Sequence, residues 1–413
     1  MAYMAPNFQN PFRPGAGHMP PYLAGRAEEE AQFRKLLQQN EILENLILTG
    51  LRGVGKTVLL ETFKPLAVSL GWLWVGTDLS ETASVSESNL ALRIITDLAV
   101  VTSSFSINAG EHTEVGFGTQ PGQLLQPVNY PFLVNMYETQ PGLVADKLKA
   151  VLEFVWSIIQ QTDRKGIVFA YDEAQNLSDN AQKEQFPLSV LLDVFQSIQR
   201  KGVPFMLALT GLPTLFPKLV DARTFSERMF RVVSLQQLGK EDTKEAISRP
   251  IRDAKCPISF NAASIDSIAN LSGGYPYFIQ FICREVYDVW IQRMGLGQNL
   301  SIPIIEITRK LDTDFFAGRW AKATDRQREL MWVVSLLDNC DEEFSVQEIV
   351  ARGVSMLEKP FTSSHANQIL AALAGAGLIY KNRHGKYMFA VPLMADFVRR
   401  QNDGGAGAPG TAT

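Results

Sequence analysis

The sequence predicts an α/β fold with a mostly parallel sheet, followed by helices alone and then by a small third region. Four short apolar runs alternate with helical patterns between residues 46 and 211, as expected for strands buried on both faces. From residue 235 the apolar pattern is helical, until two strand-like runs surround Gly385. We therefore expect helices on both faces of the sheet and a separate C-terminal region.

Length and composition limit the classes of function. The chain has 413 residues, 46% of them hydrophobic, which is enough for two or three domains with full cores. The formal net charge is −4, so no overall field directs the chain to nucleic acid or to a membrane. The 3 cysteines and 4 histidines show no disulfide or zinc spacing. With no signal peptide or membrane-length apolar run, we expect a cytoplasmic protein without membrane contact.

Residues 50–57 read GLRGVGKT and match the phosphate-loop pattern G-x-x-x-x-G-K-[ST]. The glycines let backbone N–H groups face phosphate oxygens, and the following helix adds the positive end of its dipole. Lys56 supplies a charge for the β- and γ-phosphates, and Thr57 supplies a hydroxyl for Mg²⁺. The sequence therefore predicts a P-loop NTPase that binds ATP or ADP with Mg²⁺. The predicted nucleotide contacts in this segment are Gly50, Leu51, Arg52, Gly53, Val54, Gly55, Lys56, Thr57 and Val58.

Two later strands supply the other polar groups that hydrolysis requires. Residues 166–173 read GIVFAYDE, in which Asp172 is predicted to hold Mg²⁺ and Glu173 to align and deprotonate the attacking water. The alternative is an ordinary core strand followed by a solvated acidic turn. Residues 203–211 end near Thr210, which is predicted to sense the γ-phosphate, the alternative being a residue that merely caps a strand. The phosphate loop upstream favours the catalytic interpretation of both.

The composition divides the chain into five regions. We predict an extended arm at 1–22, the ATPase domain at 23–234, a helical lid subdomain at 235–318, a winged-helix domain at 319–401 and a disordered tail at 402–413. The winged helix is predicted from three helices followed by two strands. An insertion of about 103–141 interrupts the ATPase domain, and we expect it to be irregular, with a hairpin within residues 104–118.

The winged helix carries candidate DNA contacts. Its third helix presents Asn367 and Gln368, whose amides can read adenine edges. Lys381, Arg383 and Lys386 gather at the predicted wing, where they could contact phosphates. The region from residue 320 has balanced charge, whereas dedicated DNA-binding domains are usually basic. A winged helix that contacts protein, or that serves as a structural cap, is therefore the alternative.

In their order, these motifs resemble those of origin-recognition-like AAA+ ATPases, in particular bacterial ones. The resemblance covers about residues 23–400, excluding the insertion, and is carried by GLRGVGKT, YDEAQ, ALTGLP, FSERMFRV and the terminal winged helix. It implies that Gly25 and Arg26 lie beside the adenine base and that Thr210 is the polar sensor. It also implies that Arg228 is an arginine finger.

A finger of this kind reaches the γ-phosphate of a neighbouring subunit and stabilises the charge of the transition state. The resemblance therefore implies a homo-oligomer. Arg231 is close enough in sequence to be the finger instead. The structural alternative for Arg228 is an ion pair with Glu227 or Asp221.

The predicted lid departs from many AAA+ proteins. It reads SGGYPYFIQFICRE, with no arginine before Arg284, and Gly274-Tyr275-Pro276 resembles the lid of STAND signalling ATPases, in which the proline packs over the nucleotide. Two functions follow. One is a slow AAA+ ATPase switch that controls subunit assembly and exposure of the winged helix on DNA. The other is a STAND-type signalling or defence ATPase that uses nucleotide as a latch for protein–protein association.

Overall fold

The computed structural model describes residues 9–15, 17–108, 125–383 and 385–403. The chain forms two compact units. The sheet unit comprises Ala27–Thr49 and Lys56–Ser234, and the helical unit comprises Met1–Arg26, Gly50–Gly55 and Leu235–Thr413. Among the helices of the described ranges, none combines the length and the apolar character that crossing a membrane requires.

Within its described residues, the sheet unit contains seven strands, five of which form its central sheet. The strands are β1 (Asn45–Thr49), β2 (Trp72–Val75), β3 (Ser106–Asn108), β4 (Leu125–Pro127), β5 (Gly166–Tyr171), β6 (Phe205–Gly211) and β7 (Phe230–Ser234). The central sheet is parallel throughout, in the order β2–β5–β6–β1–β7. Strands β1, β5 and β6 are buried along their whole length, which explains their uninterrupted apolar composition.

Helices cover this sheet and form its hydrophobic core. They are α1 (Ala27–Leu36), α2 (Lys56–Ser69), α3 (Glu87–Thr102), α4 (Tyr130–Thr139), α5 (Val144–Ile159), α6 (Pro187–Gln199), α7 (Leu215–Ala222) and α8 (Ser226–Met229). The ring of Phe169 on β5 meets that of Phe195 on α6 at 4.9 Å between centroids, edge to face. Ser86 caps α3 by accepting a hydrogen bond from the Asn89 N–H at 3.1 Å.

Strand β7 was not predicted from the sequence. It lies at the edge of the sheet beside β1, where Arg231, Val232 and Ser234 are partly or fully exposed. An edge strand needs no continuous apolar run, so the pattern that revealed the central strands is missing here.

The region 103–141 is more regular than the sequence analysis predicted. Strand β3 begins in the predicted hairpin segment and pairs antiparallel with β4, and the residues between them, 109–124, lie outside the described part of the chain. Residues 130–139 form α4, so the predicted irregular loop is wrong there. Asn129 caps this helix by accepting from the Phe132 N–H at 3.2 Å, and Pro131 lies in its first turn. Asn and Pro suit a helix start as well as a loop, which explains the error.

The helical unit continues through the regions predicted as lid and winged helix. Its elements are α9 (Lys240–Asp253), α10 (Ala262–Ser272), α11 (Pro276–Gly295), α12 (Ile304–Leu311), a π-helical turn (Asp312–Phe316), α13 (Ala317–Trp320), α14 (Asp325–Ser335), β8 (Phe344–Ser345), α15 (Val346–Val354), α16 (Ser363–Gly375), β9 (Ile379–Arg383), β10 (Lys386–Phe389) and α17 (Met394–Asp403). The three strands form an antiparallel sheet in the order β8–β10–β9. The predicted tail therefore starts inside α17, and residues 404–413 lie outside the described ranges.

One hydrophobic core runs through the helical unit. Phe316 of the π-helical turn stacks on Phe397 of α17 at 4.9 Å and lies 6.1 Å from Phe278 of α11. Buried side chains of α9, α10, α14 and α16 belong to the same cluster. The lid helices and the winged helix therefore share their packing.

The N-terminal arm also packs on this unit. Phe12 is buried, and Asn10 donates hydrogen bonds to the Arg284 carbonyl at 3.0 Å and to Asp288 at 2.8 Å.

Candidate functional site

The phosphate loop adopts backbone angles that favour glycine. Gly53 has φ +82° and Gly55 has φ +93°, which L side chains rarely adopt. The next residue, Lys56, begins α2. A helix that follows a glycine-rich loop is a common place for phosphate groups to bind.

A carboxylate and two hydroxyl groups meet in the sheet unit. Thr57 donates to one Asp172 oxygen at 2.5 Å, and Thr210 donates to the other. Asp172 is 5% exposed and Thr210 is fully buried. The contact forms because the carboxyl ends of parallel strands align, with Leu48 opposite Thr210 and Tyr171 opposite Leu209. Three side chains predicted from separate motifs are thus brought together.

Glu173 follows this cluster in an uncommon backbone conformation. Its φ is +51°, the left-handed region that non-glycine residues occupy infrequently. Its backbone N–H donates to Asp172 at 2.7 Å, and its exposed carboxylate accepts a hydrogen bond from the Gln175 amide. The neighbouring bond to Asp172 offsets part of the cost of this turn.

Sequence reasoning did not assign a role to Gln175 or to Lys218. Besides the contact with Glu173, the Gln175 amide oxygen accepts from the Leu212 N–H at 3.1 Å. Lys218 donates to the Gln175 carbonyl at 2.7 Å, and burial lowers the pKa of this lysine. Gln175 belongs to the YDEAQ string, but its partners lie more than thirty residues later, so no local pattern could reveal them.

In the helical unit, Arg26 fixes the backbone of the phosphate loop. Its guanidinium donates to the Val54 carbonyl at 3.0 Å and to the Gln236 carbonyl at 2.9 Å, and the residue is 6% exposed. Gly25 precedes it with φ +61°, and a Cβ at that position would lie 2.7 Å from the Asp242 carboxylate. Arg26 is therefore held by two backbone carbonyls, and Gly25 packs closely against Asp242 of α9.

The start of α11 meets the same loop. Pro276 is the first residue of this helix, where its missing N–H costs nothing. The next residue, Tyr277, donates its backbone N–H to the Gly53 carbonyl at 3.1 Å. A Cβ on Gly53 would approach the Tyr277 Cβ to 3.1 Å, a second reason for glycine there.

The two candidate fingers differ in their surroundings. Arg228 on α8 is exposed, and within the described part of the chain its side chain forms no ion pair with Glu227, Asp221 or another acidic residue. Arg231 on β7 is paired with Glu44 at 2.7 Å.

The predicted DNA contacts lie on α16 and the β9–β10 hairpin. Asn367, Gln368 and Lys381 are exposed. Arg383 is ion-paired with Glu343 at 2.5 Å, and Lys386 lies 3.4 Å from Glu348.

These ion pairs also lower the pKa values of the two carboxylates, Glu343 and Glu348. The bond from Arg383 lowers the pKa of Glu343. The pKa of Glu348 is lowered first by the Ser345 hydroxyl and then, among smaller causes, by Lys386. Two of the three basic side chains of the wing are therefore partly neutralised within the domain.

Comparisons with known proteins identify the fold. The chain is similar to the Walker-type ATPase PABY2304 of Pyrococcus abyssi, at 15% identity and a TM-score of 0.58, covering 91% of this chain and 96% of that one. It is also similar to the ORC2 protein of Aeropyrum pernix in its ADP form, at 14% identity and a TM-score of 0.52, covering 95% and 97%. The predicted α/β P-loop fold and its resemblance to origin-recognition-like AAA+ ATPases are confirmed at the level of the fold.

Sequence comparisons add less. A family described as "Domain of unknown function (DUF8462)" matches residues 313–398, which contain α14 to α16 and the antiparallel sheet. No curated protein sequence matches the chain.

Proposed function

We propose that this protein is an ATP-binding molecular switch of the AAA+ type that hydrolyses ATP slowly to ADP and phosphate. The observation that carries the proposal is the convergence of Thr57 and Thr210 on the buried carboxylate of Asp172. The phosphate loop leads into the helix that bears Thr57, so phosphate and metal ligands would be neighbours. The A. pernix ORC2 structure is an ADP form, and we propose ADP as the ligand retained after turnover here.

The donor set fits magnesium. Mg²⁺ prefers hard oxygen ligands and is usually held by one or two carboxylates together with substrate phosphates and water. We propose Thr57 and Asp172 as its protein ligands, since their oxygen atoms are 2.5 Å apart. When bound, the metal would neutralise charge on the β- and γ-phosphates.

Each polar side chain has a separate role in this proposal. Lys56 holds the β- and γ-phosphates, and the backbone of residues 50–58 surrounds them. Glu173 orients the attacking water and accepts its proton on a carboxylate oxygen. Thr210 contacts the γ-phosphate from the end of β6. We propose Gly25, Arg26 and Pro276 as contacts of the nucleotide base, with Arg26 acting through the loop carbonyl it holds.

Subunit assembly is the second part of the proposal. We assign the finger to Arg228 rather than Arg231, because Arg228 is exposed while Arg231 is held by Glu44. In a homo-oligomer, Arg228 of one subunit would reach the γ-phosphate bound to the next. ATP would then favour assembly, and hydrolysis would release it.

The test of the nucleotide site uses two variants and one control in the full chain. Lys56→Ala should abolish ATP binding in calorimetry, and Glu173→Gln should retain binding while turnover falls by about 100-fold or more. Lys64→Ala changes an exposed lysine on the same helix and should behave like the wild type. Unchanged binding in Lys56→Ala, or unchanged turnover in Glu173→Gln, would remove the assignment.

A second function is favoured by the wing. Arg383 and Lys386 are ion-paired, which reduces the charge available to a DNA backbone. A STAND-type latch, in which nucleotide controls association with a protein partner, makes no use of that charge. Such a protein should purify with ADP bound and show turnover independent of its concentration. An assembly-dependent ATPase should instead become faster per subunit as protein concentration rises.

A further inference from the structure

Gln175 forms hydrogen bonds with Glu173, Leu212 and Lys218. Its amide nitrogen donates to Glu173, and its amide oxygen accepts from the Leu212 N–H at 3.1 Å. Its backbone carbonyl accepts from Lys218 on α7 at 2.7 Å. Leu212 stands two residues after Thr210, which itself donates to Asp172. One amide therefore joins the end of β6 to the carboxylate of Glu173.

The surrounding backbone is shaped to admit this amide. A Cβ on Gly211 would lie 2.7 Å from the Gln175 amide oxygen, so a larger residue at the end of β6 would displace it. Lys218 fixes the turn that carries Gln175 by donating to its backbone carbonyl. Glutamate has several rotatable bonds, and an exposed carboxylate without a partner would sample many rotamers.

We propose that Gln175 is a positioning residue for the attacking water, acting through Glu173. This inference rests on the proposed ATPase function. The amide occupies one carboxylate oxygen of Glu173 and leaves the other to accept the proton of water. Proton transfer depends strongly on the placement of the base, so fixing this oxygen raises the rate. Thr210, at the end of β6, is proposed to contact the γ-phosphate. A movement there would displace Leu212 and, through the Gln175 amide, the carboxylate of Glu173.

The test compares full-length wild type with Gln175→Glu, Gln175→Met and the control Gln182→Glu. Gln175→Glu keeps an acceptor for the Leu212 N–H but replaces the donor to Glu173 with a second carboxylate. Gln175→Met removes both side-chain bonds without adding charge. Gln182→Glu makes the same chemical change on an exposed residue, in the short helical turn Ala181–Lys183. The measurements are kcat, KM and the Kd for ATP with magnesium.

For Gln175→Glu we expect kcat to fall by roughly 10- to 100-fold while KM and Kd stay unchanged. Gln175→Met should also lose kcat without a change in KM or Kd, and Gln182→Glu should match the wild type. A purely structural role would change KM and Kd together with kcat.

Three results would contradict this inference, and each can be told from the others. If the wild type turns over and both Gln175 variants keep its kcat, the positioning role is wrong and the proposed function stands. A raised Kd with unchanged kcat would assign Gln175 to nucleotide binding and also overturn the inference. If the wild type itself shows no turnover, the proposed function fails, and this inference fails with it.

Discussion

Arg52 of the phosphate loop donates a hydrogen bond to the carbonyl oxygen of Gly377, 325 residues further along the chain, at 2.9 Å. Gly377 lies in the turn between α16 and β9 of the winged helix, with φ +68°. Arg319 is also nearby, and its pKa is lowered by burial and by the charge of Arg52. The loop proposed to bind phosphate is therefore bonded directly to the region predicted as a winged helix, which suits the proposed switch.

Replacing Arg52 should loosen the turn at Gly377. Removal of the hydrogen bond in Arg52→Ala should cost about 1 kcal/mol locally, which corresponds to a roughly five-fold increase in opening. Hydrogen exchange of residues 376–380 in the full chain measures this increase. Arg34→Ala, an exposed arginine on α1, is the matched control. Equal exchange in the two variants would show that the contact does not hold the winged helix.

The hydroxyl of Thr57 should determine the dependence on magnesium. Thr57→Val keeps the shape of the side chain but removes the proposed ligand, so the magnesium concentration for half-maximal ATPase should rise by about ten-fold. Thr57→Ser keeps the hydroxyl and should resemble the wild type. Magnesium titration of both variants measures the effect, and chelation with EDTA should abolish turnover in every case. Equal titration curves for Val and Ser would contradict the assignment.

Finger sharing can be tested by mixing inactive variants. Arg228→Ala should lower turnover by about 1000-fold or more at high protein concentration, because a finger stabilises the transition state. Glu173→Gln lacks the base but keeps the finger, so a mixture of the two should regain part of the activity of the wild type. Arg231→Ala should retain concentration-dependent turnover. No recovery on mixing would argue against a finger supplied between subunits.

Releasing the wing arginine should reveal any DNA contact. Glu343→Gln removes the partner of Arg383, so DNA affinity should rise and its salt dependence should steepen by about one phosphate contact. Glu342→Gln removes the same charge from an exposed neighbour and should have a smaller effect. Fluorescence anisotropy of the intact chain at two salt concentrations measures both. Absence of binding by both variants at low salt would leave the protein-association function as the better one.

The sequence predicted those parts of the fold and site that depend on contiguous patterns. The glycines and Lys56 of the phosphate loop, the apolar strand before Asp172 and the strand before Thr210 are local signals. Their meeting followed from a physical rule, since parallel strands place their carboxyl ends together.

The remaining parts depend on partners that are distant along the chain. Gln175 owes its position to Leu212 and Lys218, and Arg26 meets Gln236, so no window of sequence contains either interaction. Strand β7 is recognisable because it pairs with β1, not because of its own composition. The ion pairs of the wing join α15 and the preceding loop to the hairpin, and balanced net charge could not indicate which groups were paired.

The stack of Phe278, Phe316 and Phe397 limits how this chain can be divided or recombined. The family match begins at residue 313, so it includes Phe316 and Phe397 but not Phe278. A chimera that joined residues 313–398 to a different ATPase would lack Phe278, so Phe316 would lose this aromatic neighbour. Loss of one large aromatic partner from a buried site typically costs about 3–5 kcal/mol. We therefore expect that the regions predicted as lid and winged helix can be transferred to another protein together but not separately.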